Sequence, residues 1–268
     1  MADLREVKIG TSGYSFLDWV GVFYPDDIKK GKMLDYYVNH FDIVEINSSY
    51  YRIPHPRVFE NMEKKTPDHF EFMVKTHMSV THDRKDVMAQ VDEFKESIKP
   101  LVDAGKLRGL LMQFPFSFRW SQQNLSYLAR ATGLLDRYPL YIEFRHRGWH
   151  RDEVFALCEK ANISLCSVDG PQLSSLPRPE LFECARRIYV RLHGRNAEHW
   201  WNGGALRYDY LYSEKQLKSW IDNIREAKRA AGEMYVFFNN CHHGQAVQNA
   251  KMLKEMIRRE IDQESDNK

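Results

Sequence analysis

Eight times along this chain a short run of β-forming residues is followed by a stretch that can form a helix. No other feature narrows the possible folds so sharply. The runs occupy residues 7–12, 43–47, 70–75, 108–114, 141–145, 163–168, 187–193 and 234–239. Helical spacing follows most of them, with Pro56 suited to a first helical turn, Gly105 to a stop and Ser121 to a cap. Parallel strands need such crossovers, so the pattern predicts an α/β fold of the (β/α)8 TIM-barrel class. An open doubly wound sheet fits less well, because no glycine-rich phosphate turn follows the first run. A single barrel domain is expected over residues 1–262, with a polar tail at 263–268. The sixth unit is irregular, since residues 171–180 hold three prolines and scattered serines. A long loop rich in Trp and Tyr follows the seventh strand at 194–212.

Side chains alternate along a strand, so each strand divides into two sets. One set is apolar: Val44 and Ile46; Phe72 and Val74; Leu110, Met112 and Phe114; Ile142 and Phe144; Ile188, Val190 and Leu192; Val236 and Phe238. These are expected beneath the helices. The other set is assigned to the barrel axis: Glu45 and Asn47; Lys75 and His77; Gln113; Glu143 and Arg145; Asp169; Arg191 and His193; Asn239. Valine and leucine fill most barrel interiors, and enzymes of this class assemble their sites at the C-terminal strand ends. A polar ring there points to a functional site, although a purely structural ion network on a non-catalytic scaffold is the alternative.

Glu45, Glu143 and His193 are the candidates for moving protons. Lys75, Arg145 and Arg191 suit an anion, because a guanidinium grips carboxylate or phosphate through parallel hydrogen bonds. Asn47, Tyr51, Gln113, Asp169 and Asn239 complete the expected substrate-binding set. The abundance of cations argues against a metal, so no cofactor is expected, with a divalent ion kept as a minor alternative. Aromatic residues of the exit loops (Tyr14, Trp19, Tyr50, Tyr51, Trp149, Trp200 and Trp201) offer stacking surfaces, although at least half are expected to pack the loops onto the barrel.

The 268 residues are 43% hydrophobic, enough for a large core, and contain no apolar run long enough to span a membrane. The N-terminus lacks the apolar region of a signal peptide, and the four cysteines show no CxxC spacing. A cytoplasmic protein with reduced thiols is expected, without a membrane partner. A net charge of +2 neither demands nor excludes nucleic acid, and nothing sets the oligomeric state. GxSxG, P-loop and HExxH signatures are absent.

The blocks Gly10-Thr-Ser-Gly-Tyr14, Val44-Glu-Ile-Asn-Ser-Ser-Tyr-Tyr-Arg52, Gln113-Phe-Pro115, Glu143-Phe-Arg-His-Arg147 and Tyr189-Val-Arg-Leu-His-Gly194 resemble the YecE-like family of uncharacterised proteins. So do Val74-Lys75, Thr81-His82, Phe238-Asn-Asn240 and Asn249-Ala250. The resemblance implies a TIM barrel related in shape to xylose-isomerase-like and endonuclease-IV-like barrels, and it implies no reaction. Lys75, Gln113, Arg145 and Asn239 stand at strand ends where a zinc nuclease would want ligands. The expected function is therefore a metal-independent enzyme acting on a small anionic molecule, phosphorylated or carboxylated, by acid/base chemistry. Hydrolase, lyase and isomerase chemistries all stay open. Nucleic-acid binding or processing is the alternative, with Arg52, Arg84, Arg119, Arg147 and Arg195 beside the aromatic rim.

Overall fold

Each β-forming run becomes a strand buried among its neighbours: β1 (Lys8–Thr11), β2 (Ile43–Ile46), β3 (Glu71–Lys75), β4 (Leu107–Phe114), β5 (Leu140–Phe144), β6 (Ile163–Asp169), β7 (Arg187–Leu192) and β8 (Glu233–Phe238). The computed structural model of the chain describes residues 4–85, 87–227 and 232–266. All strand pairs are parallel, in the order β1-β8-β7-β6-β5-β4-β3-β2. A parallel bridge between Ser12 and Glu45 joins the two ends of this sheet into a nearly closed TIM barrel. The crossovers carry α1 (Met33–Tyr37), α2 (Ser48–Tyr51), α3 (Pro56–Lys64), α4 (Met88–Asp103), α5 (Gln122–Gly133), α6 (Asp152–Lys160), α7 (Glu214–Ala227) and α8 (Gln245–Asp266).

Local chemistry sets several of these boundaries. Ser121 caps α5 by accepting from the Asn124 amide at 3.2 Å, α3 opens on Pro56, and Gly105 adopts a φ of 67° just after α4. Two expectations need adjustment. The stretch after β2 is not all loop, because its first four residues wind into α2. Helix α8 continues through Asp266, so most of the expected polar tail is helical, with 267–268 outside the described residues. Helical spacing in the sequence runs from Glu214 to Ala230; helix α7 is followed to Ala227, and 228–230 lie outside the described residues.

The irregular sixth unit has no helix between β6 and β7 among the described residues. Its prolines supply no amide hydrogen for helical bonding, so the segment crosses the sheet as an extended strap. The Phe182 amide donates to Ser167 Oγ at 2.8 Å, and Leu176, Phe182 and Cys184 are buried in place of a helix face.

Two apolar clusters follow the two strand parities. The outer one, between sheet and helices, contains every residue assigned there from the alternation. The inner one fills the barrel axis with Ile43, Met73, Leu111, Tyr141, Cys166, Val168, Tyr189, Tyr235 and Phe237. Charged residues lie one step further along the strands, on top of this plug. The ring closes tightly at Gly10, where an added Cβ would sit 2.4 Å from the Ile43 carbonyl oxygen. Gly10→Ala is expected to force β1 away from β2 and to cost about 1–3 kcal/mol, as overpacking does, which a lower denaturation midpoint would register.

Candidate functional site

The strand ends meet at Arg191, which β7 carries into the axis above Tyr189. Its Nε donates to Glu45 Oε2 at 2.9 Å and its Nη2 to Glu45 Oε1 at 2.6 Å. Its Nη1 donates to Glu143 Oε2 at 2.5 Å, and Nη2 also reaches Ser12 Oγ at 3.4 Å. Tyr189 donates its hydroxyl to Glu45 Oε2 at 2.5 Å, and Asn47 Nδ2 donates to Glu45 Oε1 at 2.9 Å. Arg145 Nε lies 2.5 Å from Glu143 Oε1, an ion pair without aligned hydrogen-bond geometry. Two guanidiniums thus answer two carboxylates in a dry setting.

Burial alone would raise the carboxyl pKa values, and the cations outweigh it. Arg191 holds Glu45 below the usual carboxylate range, while Arg145 and then Arg191 hold Glu143 well below it. Burial works to lower the pKa of Arg191, yet Glu143 and Glu45 raise it well above its ordinary value. All three are therefore charged around neutral pH. His193 is fully buried beside them, with Nε2 3.2 Å from Glu143 Oε1 and Nδ1 2.8 Å from Asn239 Nδ2. Burial, and then the Arg145 guanidinium, push this histidine down to about 4, so it is neutral at pH 7.

A cavity of about 420 Å³ opens above this layer. Among its walls are Asn47, Tyr51, Lys75, Gln113, Arg145, Arg191 and Asn239, joined by Ser12, Tyr208 and Cys241. That size lies within the roughly 300–1,000 Å³ common for small-molecule sites. Glu45, Glu143 and His193 do not line it and are wholly buried. The three proton-transfer candidates thus lie on the axis but beneath the cavity floor, where Glu45 and Glu143 hold the arginines and His193 rests on Glu143. Arg191 presents only an edge, since its guanidinium is engaged on three sides.

Lys75 is the cation left over. Its Nζ donates to Gln113 Oε1 at 2.8 Å and sits 4.3 Å from the centre of the Tyr50 ring. It has no carboxylate partner among the described residues. Burial, and then the Arg191 guanidinium, pull its pKa down to about 7. The backbone around it is pinned, because Ser49 Oγ in α2 donates to the Lys75 carbonyl at 2.6 Å. Arg145 also faces the cavity, and its two terminal nitrogens make no hydrogen bond among the described residues.

Asp169 is a second correction. The register pairs Val168 with inward-facing Arg191 and Asp169 with outward-facing Leu192, so Asp169 points away from the axis. Its carboxylate accepts from Arg195 Nε and Nη2 at 2.8 and 2.7 Å, from Tyr212 at 3.1 Å and from Trp220 Nε1 at 2.6 Å. It ties the long loop after β7 to α7 and takes no part in the cavity. His77 stays outside the cavity too, 3.0 Å from Ser79 Oγ.

The expected aromatic rim divides. Trp19 and Trp149 are fully buried and Trp200 nearly so, with Trp149 stacked 4.4 Å from Phe144 and 4.9 Å from Phe118. Tyr51, which lines the cavity, stays 75% exposed, and Trp201 stays 47% exposed against Phe116. Sequence reasoning passed over Tyr189 and Ser12. Tyr189 shares the parity of Arg191 and could have been found by extending the axis-facing set to aromatic residues. Ser12 carried no such signal, because it lies just past the end of β1.

Fold and cavity together define a TIM-barrel protein with a charged pocket at the C-terminal strand ends. The chain belongs to the DUF72 family, described as a protein of unknown function, which matches residues 8–268. This is consistent with the resemblance read from the sequence blocks. The UPF0759 protein YunF of Bacillus subtilis (strain 168) is 31% identical over 271 residues, covering 94% of both chains. A crystal structure of a DUF72 family protein from Thermotoga maritima shares 42% identity, with a TM-score of 0.84 over 94% of this chain and 99% of that one. Another, from Enterococcus faecalis V583, shares 25% identity with a TM-score of 0.83, covering 94% of this chain and 95% of that one.

Two expectations follow from the buried layer. Glu143→Gln leaves the two arginines short of a carboxylate, and should lower stability at pH 7 by about 3–5 kcal/mol in denaturant titrations. His193 resists protonation in the folded state until about pH 4, whereas the unfolded chain takes up that proton near pH 6.5. Its contribution is thus complete above pH 6.5 and is lost as pH falls towards 4, by about 3 kcal/mol. Stability curves of the protein and of His193→Gln should converge on acidification by that amount.

Proposed function

We propose that this protein is an enzyme that binds a small carboxylated or phosphorylated molecule in the C-terminal cavity and works by acid/base chemistry of its own side chains. One observation carries the reading: among the described residues, Lys75 is the pocket cation with no carboxylate partner, beside an Arg145 whose terminal nitrogens are free to donate. A charge left unpaired in a partly buried pocket is costly to keep and favours a ligand of opposite sign. Lys75, half-titrated near neutral pH and facing the cavity, replaces the submerged carboxylates as the proposed proton carrier. In this view the Arg191 network is structural, and chemistry belongs to the layer above it.

The donor set also suits an anion better than a metal. Among the described residues, no group of three or more His, Cys, Asp and Glu is placed to hold an ion. Among them, too, no helix is long and apolar enough to cross a membrane. The four cysteines are unpaired, which supports placing the protein in the reducing cytoplasm. Nucleic acid is the second reading, favoured by the exposed rings of Tyr51 at the cavity and of Trp201, since bases stack on such rings.

A thermal-shift screen of phosphorylated metabolites and small carboxylates tests the first reading. At least one is expected to raise the melting temperature, and Arg145→Met should abolish that shift while leaving the barrel folded. No stabilisation by any of them, or an undiminished shift in Arg145→Met, would remove the anion site. Salt-sensitive binding of a single-stranded oligonucleotide would favour the second reading instead.

A further inference from the structure

The amine that faces the cavity is a nucleophile as well as a base. Two features prepare it for covalent chemistry. Gln113 Nε2 donates to the Phe114 carbonyl at 2.8 Å, which turns the amide oxygen towards Lys75 and leaves a neutral acceptor where an ordinary ion pair would place a carboxylate. A neutral acceptor favours –NH3⁺ far less than a carboxylate would, so it positions the nitrogen without locking it in the charged form. The Tyr50 ring, 4.3 Å away, forms one wall against which either an ammonium or an iminium can rest.

The other groups around Lys75 are Arg145 from β5, Arg191 from β7, His82 from the loop after β3, and Glu45 and Glu143 beneath the floor. Both carboxylates are already committed to the arginines. Arg145 lines the same cavity and offers a bidentate edge. An anionic group seated there would bring the remainder of a small molecule over the lysine.

We infer that Lys75 forms an imine with the carbonyl carbon of a substrate whose carboxylate or phosphate rests on Arg145. The class of substrate is thus a small 2-oxo acid or a phosphorylated aldehyde or ketone, and the inference rests on the anion-binding reading above. The amine lone pair adds to the carbonyl carbon, and the C=O pair moves to oxygen. Both amine protons end on that oxygen, which leaves as water, so amine plus carbonyl gives imine plus water with nothing oxidised or reduced. The imine then takes up a proton from solvent water, and in that form draws electrons from the neighbouring carbon and eases loss of a proton or cleavage of a carbon–carbon bond there. Gln113 acts as a positioning residue, through the lysine.

The test is reductive trapping on the full chain. Glyoxylate, pyruvate and dihydroxyacetone phosphate are each incubated with the protein and sodium borohydride at pH 7, and labelled lysines are located by peptide mass spectrometry. Lys75 is expected to be labelled at least about tenfold more than any exposed lysine, because far more of it is unprotonated at that pH. Lys75→Arg should lose the adduct. Gln113→Glu should move the pH midpoint of trapping upward, which a merely structural glutamine would not do. Label spread evenly over surface lysines, or an adduct on Lys75 with no pH shift in Gln113→Glu, would overturn the inference or the role of Gln113 respectively. Lactate and 2-phosphoglycolate, which cannot form an imine, separate the two readings. If they stabilise the protein through Arg145 while no probe labels Lys75, the anion site stands and the imine falls. If neither occurs, both fall.

Discussion

The contact on which this barrel depends is the buried embrace of Arg191 by Glu45 and Glu143. Three charges lie at the axis with almost no access to water, and each is tolerable only because the others are there. The arginine comes from β7 and the carboxylates from β2 and β5, so one guanidinium braces three separated staves. Tyr189 and Ser12 add donors and acceptors from β7 itself and from the end of β1. Hydrocarbon fills the axis below this layer, and the cavity opens above it. The ion layer is the partition between a plug that stabilises and a pocket that can react.

That partition separates residues that look equivalent on paper. Glu143 and Arg145 stand two positions apart on one strand, yet the acid is sealed below and the base reaches the pocket. Lys75 is distinguished by what it lacks: the two arginines consume the two carboxylates, and the lysine keeps only an amide oxygen and an aromatic face. Desolvation then lowers its pKa, whereas the same burial leaves the paired carboxylates ionised. Identical physics produces opposite outcomes because the partners differ.

Most of the architecture was legible in the residues. Strand-then-helix alternation led to the barrel, and every apolar residue assigned by parity on six strands lies in the helix-facing layer. Strand β6 was the exception. Its two faces, Ile163, Leu165 and Ser167 against Ser164, Cys166 and Val168, are equally mixed, so alternation carries no signal and Asp169 was turned the wrong way. The prolines of the sixth unit announced a missing helix but not the strap that replaces it. The aromatic loops announced a rim, from which burial removed Trp19, Trp149 and Trp200.

By itself, then, the chain's order of residues determined the fold class, the end of the barrel that carries the polar groups and the chemical character of that end. These follow from local periodicity, which a linear sequence expresses directly. The tertiary structure alone decided which charges neutralise one another, which are submerged and which one is left to meet a ligand. Those outcomes depend on pairings such as Arg191 with Glu45, 146 positions apart, and on fractions of an ångström in how closely strands converge. Alternation assigns a side chain to a face. Only the closed barrel assigns it a partner.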